Sequence, residues 1–350
     1  MNLYAEDCVI VANRIYLISK NLNIVYYIDL QTQEIVFVDS LPDLPICFER
    51  AGACVIEYNA SLLFLPMNAS GLNVYELSSR RWKNIEIETL EDAVWNKFFC
   101  GVVYENKVHM IGHSYPAIVV VDLKSTNSKI ISMEIYASIK NGENELEDCY
   151  FRKDFAMVGE HLYATSCLSN QVLIYNLVTE QAQLRDIGEK GMRFSGIAYD
   201  GDVFWIAARR TLEFYSWDAK SGEFDIFTIK KTMEEDWYLG GVVFDGKNVI
   251  FAGMNGFDTY VINPFATNVM ESLVVIKRSF SFIKNYDGID YCMRTDGLLE
   301  LRRISDFRSV IKCFDVNVNN EEVISFAYSI DKVLQETGAL SLPTFLNGIV

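Results

Sequence analysis

Gly240-Gly241-Val242-Val243-Phe244-Asp245-Gly246-Lys247-Asn248-Val249-Ile250-Phe251 reads as a strand, a tight turn at Asp245-Gly246 and a second strand. Downstream, Thr259-Tyr260-Val261-Ile262-Asn263 is a third apolar run of strand type. Working outward, the same order recurs. Gly196-Ile197-Ala198-Tyr199 turns at Asp200-Gly201 into Val203-Phe204-Trp205-Ile206. Gly101-Val102-Val103-Tyr104 turns at Glu105-Asn106 into Val108-His109-Met110-Ile111. Phe155-Ala156-Met157-Val158 turns at Gly159-Glu160, and Gly52 to Tyr58 turns at Asn59-Ala60. Val9-Ile10-Val11 opens a first unit, and Phe280-Ser281-Phe282-Ile283 a less regular seventh.

The turn positions Asn13, Asn59, Asn106, Gly159, Gly201, Gly246 and Gly288 lie 42 to 53 residues apart. A period near 45 with four strands per unit predicts a β-propeller. One four-stranded sheet cannot hide both its faces, and a closed ring of sheets hides them and protects the edges. Third strands end on a shared tag: Ile28-Asp29-Leu30, Tyr75-Glu76-Leu77, Val121-Asp122-Leu123, Tyr175-Asn176-Leu177 and Ile262-Asn263. In the third unit Ile130 to Met133 reads as the fourth strand. The expectation is an all-β chain of seven four-stranded blades over residues 1–318, or six if the first or seventh unit is incomplete. Residues 319–350 form a tail that packs on the propeller or docks a partner, with a short helix over Ser329 to Gly338.

The units resemble Kelch-type propellers. Gly240-Gly241 matches that family's double glycine, and Tyr75 with Trp82 matches its aromatic pair. The resemblance is one of architecture. The double glycine occurs in one unit only, and Trp217-Asp218 is out of register for a WD repeat. No functional residue is carried over from the family.

Composition narrows the function classes. The 350 residues are 50% hydrophobic with a net charge of −16, a balance that repels nucleic acid and anionic membranes. No run of 18 apolar residues spans a membrane, and the first residues carry no export signal, so the cytoplasm is the expected compartment. Eight cysteines without a C-x-x-C pair read as buried thiols. His109 and His113 flank a strand-like segment rather than sharing a helix face, so no metal and no cofactor is expected.

One constellation emerges on aligning the units at the small residue that opens the first strand. Bases recur two to four positions upstream: Arg50, Lys97, Arg152, Arg193 and Arg278, with Trp237-Tyr238 as the aromatic exception. In a propeller these positions crown the channel, and the loops joining second to third strands, carrying His113, Tyr115 and Arg209, share that face. The candidate ligand-binding residues are Arg50, Trp95, Lys97, His113, Tyr115, Arg152, Arg193, Arg209, Trp237, Tyr238 and Arg278. Guanidinium forks beside aromatic faces suit carboxylate, phosphate or sugar. The other reading pairs these bases with Glu49, Asp154 or Asp236, or lays their stems over apolar surface. The function expected is a scaffold binding an acidic peptide or protein segment. The alternative is a carbohydrate-active or lectin-like propeller taking an anionic sugar, of epimerase or lyase type.

Overall fold

The computed structural model describes residues 3–42, 44–45, 50–88, 95–131, 133–139, 149–230, 239–254, 256–316, 318, 321–323 and 325–326. Among the described residues twenty-eight strands form seven separate four-stranded antiparallel sheets, each from four consecutive strands. The ring has seven blades, not six. Blade one comprises Ala5–Val11, Arg14–Ser19, Val25–Asp29 and Ile35–Asp39. The first strands of the following blades are Gly52–Tyr58, Phe98–Tyr104, Ala156–Val158, Phe194–Tyr199, Leu239–Phe244 and Phe280–Tyr286. They line the central channel, as alignment on their small residues predicts.

The repeat has a local cause. Hairpin turns fall where residues tolerate positive φ, as at Asn59 (49°), Gly201 (109°) and Gly246 (95°). The third-strand tag caps the next turn. Asp29 Oδ1 accepts the Gln31 and Thr32 amides at 2.9 and 3.1 Å. Asp122 Oδ1 does the same for Lys124 and Ser125, and Asn176 Oδ1 for Val178 and Thr179, all at 2.8 to 2.9 Å. The last residue of the tag then donates its amide back to the first hairpin: Leu30 to Asn13, Leu123 to Asn106 and Leu177 to Glu160, at 2.8 to 2.9 Å. In these blades tag and turn are thus one device, tying the third strand to the first two. Asp218, in the Trp217-Asp218 pair that fits no WD repeat, occupies the tag position of blade five and caps Lys220 at 2.8 Å.

Alternating strand residues bury both faces of each sheet. Each of the seven interfaces between neighbouring blades has its own apolar cluster, including the one that joins blade seven to blade one through Leu299, Phe314, Leu17 and Tyr26. Polar contacts add to this closure: Leu3 donates its amide to the Val316 carbonyl at 3.3 Å, and Ser281 Oγ to the Ala5 carbonyl at 2.9 Å.

Two departures from the sequence reading matter. The fourth strand of blade three is Ser128–Ile131, and Met133–Ile139 is a helix, not the end of that strand. Ile135, Tyr136 and Ile139 recur at helical spacing and are buried together between blades three and four, which overrides the apolar run. The first strand of blade four is only three residues long, where its six counterparts have six or seven. The expected helix over 329–338 lies outside the described residues.

Candidate functional site: a basic mouth on a partitioned channel

The residues missing from that short strand have gone into the channel. Tyr150 is tied to the His113 carbonyl at 2.6 Å, and Phe151 pairs with Ser166. The chain then turns inward. Lys153 crosses to blades one and seven, where its ammonium donates to the Glu6 and Ser281 carbonyls. Asp154 points the other way, and its Oδ2 accepts the Val242 amide of blade six at 3.0 Å. A Cβ on Gly196 would meet that carboxylate at 2.7 Å, and one on Gly241 would land on it. The double glycine of the opening stretch is therefore explained at its second position by a charged side chain from across the channel.

Lys153 and Asp154 line the cavities on both sides of this partition. The larger, about 840 Å³, is walled by the first strands and includes the Asp7–Lys284 ion pair at 3.2 Å. The smaller, about 450 Å³, opens at the face that carries the predicted constellation. Among the described residues its wall holds five bases, Lys20, Arg50, Arg152, Lys153 and Arg209, against two acids, Glu6 and Asp154, with Tyr4, Phe99 and Phe280 as aromatic surface.

A belt of backbone hydrogen bonds sets these positions. The Arg50 amide donates to the Lys20 carbonyl and the Lys97 amide to the Met67 carbonyl, each at 2.8 Å, linking the entry to one blade with a loop of the blade before it. The belt accounts for the recurrence of the aligned positions, and side-chain direction decides which of them reach the cavity.

Arg50, His113, Arg152 and Arg209 do reach it. Arg209 is buried and donates to the Cys167 carbonyl. Lys97 instead buries its ammonium on the Ala69 carbonyl at 2.6 Å. Tyr115 is a core residue packed on Phe98, with its hydroxyl on the Glu88 carbonyl at 3.2 Å. Trp95 is 62% exposed, Arg278 is exposed with Nη1 on the Lys277 carbonyl, and half-buried Arg193 offers its own carbonyl to the Arg209 amide; none of the three lines the cavity. Trp237 and Tyr238 lie outside the described residues.

Sequence reasoning missed Tyr4, Glu6, Lys20, Lys153 and Cys149. Extending the alignment to the first unit would have shown Tyr4, because it precedes the first strand there as Arg50 precedes that of the second unit, whereas Glu6 lies within the strand. The diverted strand of blade four left no such signal.

The electrostatics follow from crowding. Burial pushes His113 down to about 3, and Arg152, Arg209 and Arg50 push in the same direction. Its ring is therefore neutral, and Nδ1 carries the hydrogen because its partner at 2.6 Å, the Phe151 carbonyl, can only accept. Burial opposes ionisation of Glu6, but Lys153 and Lys20 outweigh it and hold that carboxyl below its ordinary range. Lys20 pairs with Glu6 at 2.5 Å and lies 4.8 Å from the Tyr4 ring centroid. Burial pushes Asp154 up to about 6 despite Lys153 and the Val242 amide. Among the described residues no cluster of His, Cys, Asp and Glu could hold a metal ion.

No family model matches the chain, and no curated protein matches it in sequence. Solved structures share its fold at low identity. The computationally designed protein Ika8 aligns over 90% of this chain and 88% of its own, with 10% identity and a TM-score of 0.60. Virginiamycin B lyase from Staphylococcus aureus aligns over 84% and 94%, with 11% identity and a TM-score of 0.61. Kuenenia stuttgartiensis hydrazine synthase aligns over 87% and 96%, with 10% identity and a TM-score of 0.64. A designed protein and two unrelated enzymes on one scaffold carry no common function. What the chain shares with them is the β-propeller architecture.

Proposed function

We propose that this propeller is a binding module for an acidic peptide or protein segment, whose carboxylates enter the basic mouth. One observation carries the reading: three arginines from separate blades or loops, Arg50, Arg152 and Arg209, line one walled cavity in a protein of net charge −16. Against that overall field a local positive site focuses anions. Guanidiniums bind carboxylates through paired donors. A volume near 450 Å³ admits a few side chains and not a folded domain. A Kelch-type origin of the blades is part of the same reading, supported by Gly240-Gly241 and by the Tyr75–Trp82 packing at 4.8 Å between centroids.

The test is a thermal-shift screen of acidic peptides, phosphates and anionic sugars against wild type and an Arg50→Ala, Arg152→Ala double variant. Stabilisation of wild type by acidic peptide, lost in the variant, supports the proposal. Equal response of the two proteins removes it.

A second reading has its own observation. Asp154, at about 6, borders a cavity that would bind an anion, which is the placement an acid–base group needs. On this reading the ligand is an anionic sugar and the propeller an enzyme of epimerase or lyase type. Turnover of a uronic-acid substrate that Asp154→Asn abolishes would favour it over the binding module.

A further inference from the structure

Cys149 and Cys167 stand together at the rim of the basic cavity. The Cys167 amide donates to the Tyr150 carbonyl at 2.8 Å beside the Phe151–Ser166 bridge, which brings the two segments side by side. Cys149 directly precedes Tyr150, the residue paired with Cys167, so the two cysteines occupy neighbouring positions on the paired segments. Cys149 is half-buried on the cavity wall, whereas Cys167 is fully buried behind it. His113 Nδ1, whose hydrogen is directed to the Phe151 carbonyl, lies 3.4 Å from Cys149 Sγ. Arg209 donates to the Cys167 carbonyl, so a binding guanidinium and the dithiol are physically joined.

We propose that Cys149 and Cys167 are a redox-active dithiol, oxidised by a small carboxylate-bearing disulfide that docks in the basic mouth. The docking half of this proposal rests on the anion-binding reading; the dithiol half does not. Cys149 is the attacking group because it alone of the two faces the cavity. Its thiol gives up a proton to solvent, and Sγ attacks one sulfur of the bound disulfide. That S–S bond breaks, and the departing thiolate takes a proton. Cys167, deprotonated in turn, attacks Cys149 Sγ and expels the second small thiol. The two protein thiols lose two electrons and two protons in all, and the small disulfide gains them as two thiols. The Cys167 contact and burial hold the Cys149 thiol well above its ordinary range, while Arg152 and Arg209 pull it down. Only the thiolate attacks, so exchange accelerates as pH rises through the alkaline range.

The experiment uses the full chain, reduced and freed of reductant. It is exposed in parallel to glutathione disulfide, which carries carboxylates, and to uncharged hydroxyethyl disulfide. Thiols are then blocked and peptides mapped by mass. A Cys149–Cys167 cross-link is expected, forming about tenfold faster with glutathione disulfide, in the range of charge-steered encounters. That advantage should vanish in Arg50→Ala, Arg152→Ala, and Cys167→Ser should accumulate glutathione on Cys149. A cross-link formed equally fast with both reagents would overturn the docking half and count against the anion-binding reading. Absence of the cross-link, in a protein whose mouth still binds acidic peptide, would overturn the dithiol and leave that reading standing. Reaction confined to exposed Cys313 would overturn it likewise.

Discussion

At the scale of the residue, Asp154 and the glycines facing it explain most. Gly241 is small because a carboxylate from another blade occupies the place of its side chain. Gly241→Ala should cost about 1–3 kcal/mol, the usual range for overpacking. In an Asp154→Gly background the cost should fall toward zero, which a double-mutant cycle by denaturant unfolding reads directly. An equal cost in both backgrounds would show that the glycine serves something else. Asp154 also predicts a pH dependence. Its folded value near 6 exceeds the ordinary unfolded value near 4. The folded state therefore binds the proton more tightly, and stability contributed at low pH is lost as pH rises from about 4 to about 6. Asp154→Asn should flatten that slope and gain on the order of 1–2 kcal/mol at pH 7. A slope unchanged in the variant would place the titrating group elsewhere.

At the scale of the element, the recurring unit is a strand pair whose turn is fastened by the tag. Asn176 tests this without a charge in play. Asn176→Ala removes the acceptor for the Val178 and Thr179 amides and should cost about 1 kcal/mol, while Asn176→Asp, which keeps it, should be nearly neutral. Urea unfolding of the two variants decides it; equal losses would mean the side chain acts through His161, its other partner at 3.2 Å. The tags and turns were legible because each is a local signal, carried by Asp, Asn and Gly at fixed positions. The helix at Met133–Ile139 was not, because Ile130-Ile131-Ser132-Met133 looks like strand until the burial of Ile135, Tyr136 and Ile139 is known. Nor was the short strand of blade four. Phe155-Ala156-Met157-Val158 matches the repeat, and nothing local says that Arg152-Lys153-Asp154 leaves the sheet to cross the channel.

At the scale of the whole molecule, the seven-fold ring followed from spacing alone, because every blade interface is built the same way. The mouth was only half legible for a related reason. Alignment finds positions, and the backbone belt makes those positions equivalent, but the side chains diverge. Arg50 turns to the cavity, whereas Lys97, at the equivalent place, turns to a carbonyl. The residues that close the mouth from below, Lys153 and Asp154, belong to the one blade that breaks the pattern. Among the described residues the pocket wall carries more bases than acids, in a chain of net charge −16, a distribution that should attract anions most strongly at low salt. Calorimetric titration of a glutamate-rich peptide into wild type and Arg50→Ala, Arg152→Ala, at several salt concentrations, measures this. The predicted result is saturable one-to-one binding that weakens with salt and drops at least about tenfold in the variant, in keeping with the loss of charged contacts at a desolvated site. Absence of binding to wild type, or equal affinity in a variant that melts at the same temperature, would contradict it.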